Sequence, residues 1–233
     1  MIACISQPRY LPFLGYFHRF SKCDLWIHLD TVQYTPRDWE NRNKIKTSQG
    51  WSWLTVPVKS SYCALIPDVK VNYDHPWQYK HWETIRNCYS KAPFFELYSE
   101  RLESLYKNPE WESLSDLNIQ STELLCELLG FQPKKVFRAS ELNVEGKGSD
   151  LILNLCLAVG ATVYLSGSEG GNYLDIESFI KSNIKLQLQE YQHPSYHQQF
   201  GEFMPNMAVI DLLMNCGPES LSILSQNQRI IDL

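Results

Sequence analysis

Ile2-Ala3-Cys4-Ile5-Ser6-Gln7-Pro8 and Leu25-Trp26-Ile27-His28-Leu29-Asp30 are the two stretches whose reading decides the fold class. Each is a short apolar run that stops at a polar group, the pattern of a strand buried on both faces. The connection from Arg9 to Cys23 is about fifteen residues long, enough for a parallel crossover and far more than a hairpin uses. Ile2–Ile5 and Leu25–Leu29 therefore read as neighbouring parallel strands, with a helix around Leu11–Phe20 between them. Pro12 is expected in the first turn of that helix, where no N–H is required.

Working outward, Trp51–Val58 reads as another strand, bounded by Gly50 and Pro57. From Pro76 to Leu129 the pattern is helical: Trp77, His81, Ile85 and Cys88 share one stripe, and Leu114, Leu117, Leu125 and Leu128 share another. Residues 75–130 are thus expected to form a helical lobe within a single domain spanning 1–233. Alternation returns with a strand at Val136-Phe137, a helix over Leu151–Val159 and a strand at Ala161–Leu165. A helix over Asp175–Ser182, a strand over Lys185–Glu190 and a helix over Met207–Met214 follow. The whole is expected to be α/β with a mostly parallel sheet and a helical insertion.

The composition, 44% hydrophobic and 20% charged, is that of a chain with a substantial core, not a disordered or fibrous one. A net charge of −5 argues against nucleic acid or anionic membrane as the main partner. The seven cysteines are odd in number and lack C-x-x-C spacing, which points to reduced thiols in a cytoplasmic protein and away from zinc. No basic region followed by an apolar run marks a signal peptide, and no apolar stretch is long enough for a membrane span. No metal and no cofactor are expected.

Polar groups just past the ends of buried parallel strands are where α/β proteins place their ligands. Gln7, Tyr10, Asp30 and Gln33 occupy such positions, and Asp30 reads either as a hydrogen-bond acceptor or base, or as a turn former. In Asn41-Arg42-Asn43-Lys44-Ile45-Lys46 an extended chain puts Arg42, Lys44 and Lys46 on one side. Three cations there suit a diphosphate; the other reading is an edge strand protected by charge. His81, on an apolar stripe, reads as a satisfied core histidine or as a proton-transfer group. Ser166 opens a glycine-rich turn leading to Tyr173 and Asp175, which reads as a weak phosphate loop or a plain turn with a helix cap. His193 and Tyr196 belong to a segment dense in hydrogen-bonding side chains, suited to a polyhydroxylated ligand.

At these residues the chain resembles the WbqC-like family, bacterial proteins often encoded among genes for O-antigen and other surface polysaccharides. The resemblance is carried by Gln7-Pro8-Arg9-Tyr10-Leu11-Pro12-Phe13-Leu14-Gly15-Tyr16-Phe17, Leu29-Asp30-Thr31-Val32-Gln33-Tyr34 and the stretch from Asn41 to Trp51. Lys80-His81, Tyr164-Leu165-Ser166-Gly167, Tyr173-Leu174-Asp175 and Pro194-Ser195-Tyr196 extend it over nearly the whole chain. Phe13 stands where the family often has Trp, and His28 where an aliphatic residue is common.

The resemblance implies a transferase acting on the amino group of a nucleotide-linked amino sugar, with an acyl or aminoacyl carrier-protein thioester as a possible donor. In that reading Arg42, Lys44 and Lys46 hold the diphosphate, Asn41 and Asn43 line the site, and Tyr10 or Tyr173 stacks on base or sugar. His81 would act as the base, oriented by Asp30. Two other readings stand beside it. One is a nucleotidyltransferase or ligase on a HUP- or Rossmann-like sheet, and the other is a non-catalytic protein that binds a sugar or a carrier protein.

Overall fold

The computed structural model describes residues 1–60, 63–107 and 111–233. The central sheet has six strands. β1 (Ile2–Ser6) leads through α1 (Leu14–Lys22) to β2 (Leu25–His28), in parallel register from Ala3 against Leu25 to Ser6 against His28. The first helix starts later than the sequence predicts. Leu11 takes φ +43°, and the Pro12 carbonyl accepts from the Val209 N–H, so Pro12 precedes the helix and Phe13 is its N-cap.

An excursion then leaves the sheet. It holds a hairpin of β3 (Arg42–Thr47) and β4 (Gly50–Thr55), then a two-residue ladder of β5 (Val58–Lys59) with β6 (Lys70–Val71). The single strand expected over Trp51–Val58 is interrupted before Pro57, which has no N–H to give a ladder. Three helices follow: α2 (Trp77–Tyr89), α3 (Phe95–Lys107) and α4 (Leu114–Leu128), the last capped by Ser113 accepting from the Asp116 N–H. Residues 108–110, inside the expected lobe, lie outside the described residues.

The chain rejoins the sheet as β7 (Lys135–Arg138), parallel to β2. Next come α5 (Gly148–Ala158), β8 (Val163–Ser166) parallel to β1, α6 (Ile176–Lys181) and β9 (Lys185–Glu190) parallel to β8. α7 (Val209–Cys216), α8 (Ser220–Leu224) and β10 (Arg229–Asp232) finish the chain, with β10 antiparallel to β9 at the sheet edge. The sheet order is β10-β9-β8-β1-β2-β7, mostly parallel as the alternation predicts.

Period-two alternation splits the core. Ala3, Ile5, Leu25 and Ile27 face α5 and α6, packing with Leu155 and Phe179. Cys4 and Trp26 face the other way, into the larger core with Leu14, Phe17, Leu117 and Leu213. Burying these side chains contributes about 1.5–3 kcal/mol each. All seven cysteines are free thiols. No described helix is long and apolar enough to cross a membrane.

Candidate functional site

From β1 the chain goes to β2 and β7 on one side and to β8 and β9 on the other. At such a reversal of strand order the connections diverge, and open α/β sheets bind their ligands beyond the carboxyl ends of the strands there. β1 ends there in Ser6, followed by Gln7, and β8 in Ser166, followed by Gly167. Two arginines converge on the spot. Arg19 of α1 donates to Ser6 Oγ at 3.5 Å and lies 3.5 Å from the position of a Cβ on Gly167. Arg9 lies beside it: burial, then the like charge of Arg19, hold the Arg9 guanidinium below its ordinary value. Neither arginine forms an ion pair among the described residues. Glu40 and Asp38 act on Arg9 without pairing with it, and a half-buried guanidinium pair with no ion-pair partner is costly in a free protein and well matched to a multiply charged anion.

Other polar groups surround the pair. Tyr16, whose hydroxyl reaches the Gln7 carbonyl at 3.5 Å, feels both arginines and stands beside Thr122 of α4. Asn118, one turn before Thr122, donates from Nδ2 to the Pro8 carbonyl at 3.2 Å and to the Glu40 carbonyl at 2.7 Å. That side chain pins the segment after β1 to the segment before the hairpin. Asn118 Oδ1, Ser115 Oγ and Glu40 Oε2 are buried without a hydrogen-bond partner. Glu40 is 2% exposed; burial, partly countered by Arg9, raises its carboxyl above the usual range. Such a concentration of unpartnered polar atoms is uncommon in protein interiors.

Ser6 also stands in register with His28 at the end of β2. Both His28 nitrogens are buried without partners. Burial, reinforced by Arg138, lowers its pKa to about 3 and keeps the ring neutral.

The sequence-predicted residues divide among several places. His81 is 7% exposed and has both ring nitrogens engaged: Nε2 donates to the Thr55 carbonyl at 3.1 Å, and Nδ1 is 2.9 Å from the Tyr10 hydroxyl. Tyr10 in turn meets the Tyr106 hydroxyl at 2.8 Å, so His81 and Tyr10 close a buried chain instead of offering a base and a stacking face. Burial lowers the His81 pKa to about 4. Asp30, 1% exposed, accepts from the Ser140 N–H at 2.9 Å and hydroxyl at 2.7 Å, capping the turn after β7. Among the described residues no hydrogen bond joins it to His81.

The three hairpin cations share a strand face, as the spacing predicts, but do not form one anion cradle. Arg42 lies 4.2 Å from the Trp53 ring centre, and Lys44 lies 4.5 Å from that of Trp51. Lys46 is 1% exposed, with its ammonium on the Glu202 carbonyl, because the returning chain covers that end of β3. Asn41 and Asn43 serve the backbone, Asn43 donating to the Leu11 carbonyl at 2.6 Å and Asn41 to that of Val56 at 3.0 Å. Gln33 is exposed and bridges to Leu65.

In the glycine-rich turn, Ser166 is buried against Gly170, where a Cβ would stand 2.2 Å from Ser166 Oγ. Tyr173 is 53% exposed. Asp175 caps α6, accepting from the Ser178 N–H and hydroxyl, bonds that lower its pKa. Tyr196 donates to Asp211 at 2.9 Å, and His193 stacks on Tyr196 while its Nδ1 binds the Pro194 carbonyl.

Arg9, Arg19 and Glu40 are the site residues that sequence reasoning passed over. Arg9 stands within the Gln7–Phe17 stretch, and its place directly after a strand was the available signal; Arg19 and Glu40 carry no local signal. Among the described residues no group of three His, Cys, Asp or Glu side chains is placed to hold a metal.

Comparison with known proteins places this site in context. No solved structure matches the chain. The uncharacterized protein Rv1507c of Mycobacterium tuberculosis is 34% identical over 219 residues, covering 93% of this chain and 94% of its own. The family model described as the WbqC-like protein family matches residues 7–223, a span that begins directly after β1 and takes in Arg9, Arg19, Glu40 and β8. On that match, the chain belongs to the WbqC-like protein family.

Proposed function

We propose that this protein is a transferase of surface-polysaccharide (O-antigen) biosynthesis, holding a nucleotide-linked amino sugar by its diphosphate and acylating or aminoacylating the sugar's amino group. The observation that carries the reading is the Arg9–Arg19 pair at the carboxyl ends of β1 and β8, half-buried and without acid partners. Guanidinium groups bind phosphate oxygens through paired, charge-assisted hydrogen bonds, and two of them match a diphosphate in charge and number. In this reading the diphosphate lies against Arg9 and Arg19 at the strand-order reversal and not on the hairpin cations. Attack of an amine on a thioester then needs proximity, removal of a proton and stabilisation of the oxyanion, with no serine or cysteine nucleophile. A carrier-protein thioester is the donor in this reading.

Calorimetric titration with pyrophosphate and with UDP tests the binding step. The expected result is saturable binding weakened about 10-fold or more by Arg9→Ala and by Arg19→Ala, the loss of one charge-assisted contact in each case. Binding that survives in the double variant sinks the assignment. Mass spectrometry of a UDP-linked amino sugar incubated with an acyl thioester then tests the transfer step, through the mass of the acylated product.

A further inference from the structure

We infer that Glu40 is the group of this site that receives the ligand's amino nitrogen and takes its proton. The inference rests on the reading that Arg9 and Arg19 hold the ligand's phosphates. Glu40 lies just before the hairpin, 2% exposed, with its Oε2 buried and unpartnered. Its main chain is held from both sides: its carbonyl accepts from Asn118 of α4, and the next residue, Asn41, donates to Val56. The chain at Glu40 is therefore held in place, while Oε2 of its side chain has no partner.

Arg9 is close enough to act on Glu40, yet the two form no ion pair. A buried acid and a half-buried cation that stay unpaired are both expensive, and a ligand carrying a phosphate and an amine satisfies the two at once. The charged groups acting on Glu40 are Asp38, which opposes its ionisation, and Arg9, which favours it. Burial outweighs both and raises the carboxyl, in the direction that suits a proton acceptor working near neutral pH.

The step balances as follows. The amine lone pair forms the C–N bond at the thioester carbonyl carbon, and the C–S bond breaks with its electron pair leaving on sulfur. The nitrogen's surplus proton passes to Glu40 Oε2 and then to the departing thiolate, which restores the carboxylate. The thioester is the only co-reactant.

The test uses the full chain with Glu40→Gln, which matches the protonated side chain in shape, and Glu40→Asp. The probes are UDP-glucosamine, UDP-glucose and pyrophosphate. The wild type is expected to bind UDP-glucosamine about 10-fold more tightly than UDP-glucose. Glu40→Gln should erase that preference while retaining pyrophosphate binding, which loss of the carboxylate beside Arg9 does not weaken. With an acyl thioester added, kcat should fall about 100-fold in Glu40→Gln and the acid limb of its pH profile should vanish, with Glu40→Asp retaining part of both. Persistence of the amine preference in Glu40→Gln, or its absence from a wild type that binds pyrophosphate, overturns this inference and leaves the phosphate reading standing. A wild type that binds neither pyrophosphate nor UDP-glucosamine overturns both.

Discussion

Asp30 shows how a residue at a strand end acquires its role. It receives both hydrogen bonds that Ser140 can give, from the N–H and the hydroxyl, and so ties the end of β2 to the turn after β7. Replacing it with Ala leaves two donors without an acceptor, and Asp30→Ala should cost about 1–3 kcal/mol in urea-induced unfolding. Ser140→Ala removes only the hydroxyl bond and should cost about 1 kcal/mol. The local sequence offered a ligand-facing acid and a cap with equal force, because the deciding partner lies 110 residues further on. His81 is similar. Its apolar stripe was legible, but its two ring partners come from Tyr10 and Thr55, on segments that meet it only in the folded chain.

Among the elements, the hairpin was legible in its period and not in its partners. Alternation puts Arg42, Lys44 and Lys46 on one face of β3, but register decides what they meet. Pairing Lys44 with Trp53 and Lys46 with Trp51 turns the first two cations into an aromatic ladder. The segment before α7 buries the third. That segment is held by Asp211 of α7, fully buried, which accepts from Tyr89 of α2 at 2.8 Å and from Tyr196 and Gln198 at 2.9 Å each. Asp211→Ala leaves the Tyr89 and Tyr196 hydroxyls without their acceptor, while Gln198 keeps the Met204 carbonyl, and should cost about 3 kcal/mol, read as a fall in the thermal midpoint. Asp211→Asn keeps one acceptor oxygen and should cost less. If the two substitutions prove equally mild, the network does not hold α7 to α2.

For the whole molecule, the parallel core was legible because each crossover switches period from two to 3.6 and back. In the excursion between β2 and β7 the helices and the strand starting at Trp51 were legible, but the β5–β6 ladder and the bridges around it were not, since their partners come from distant loops. The completed packing has a thermodynamic consequence that no single element carries. Three histidines are buried in the neutral form: burial is the main cause in each, lowering His18 and His81 to about 4 and His28 to about 3. A histidine whose folded pKa is depressed binds more protons in the unfolded chain. Its stabilising share is complete above the unfolded value of about 6.5 and is lost as pH falls toward the folded value. The buried carboxyls Glu40 and Asp211, whose pKa values are raised, act in the opposite sense, so a variant isolates the histidine share better than the wild type does. His28 is the one to replace, because both its nitrogens lack partners and Leu fills similar volume with no buried donor or acceptor. His28→Leu should be neutral or stabilising at pH 7. Between pH 6.5 and 4 it should reduce the loss of unfolding free energy by on the order of 3 kcal/mol, at about 1.4 kcal/mol per pH unit over most of that window. Urea unfolding of both proteins at pH 7, 5.5 and 4.5 measures the difference. Parallel stability curves would mean that His28 titrates alike in the folded and unfolded chain.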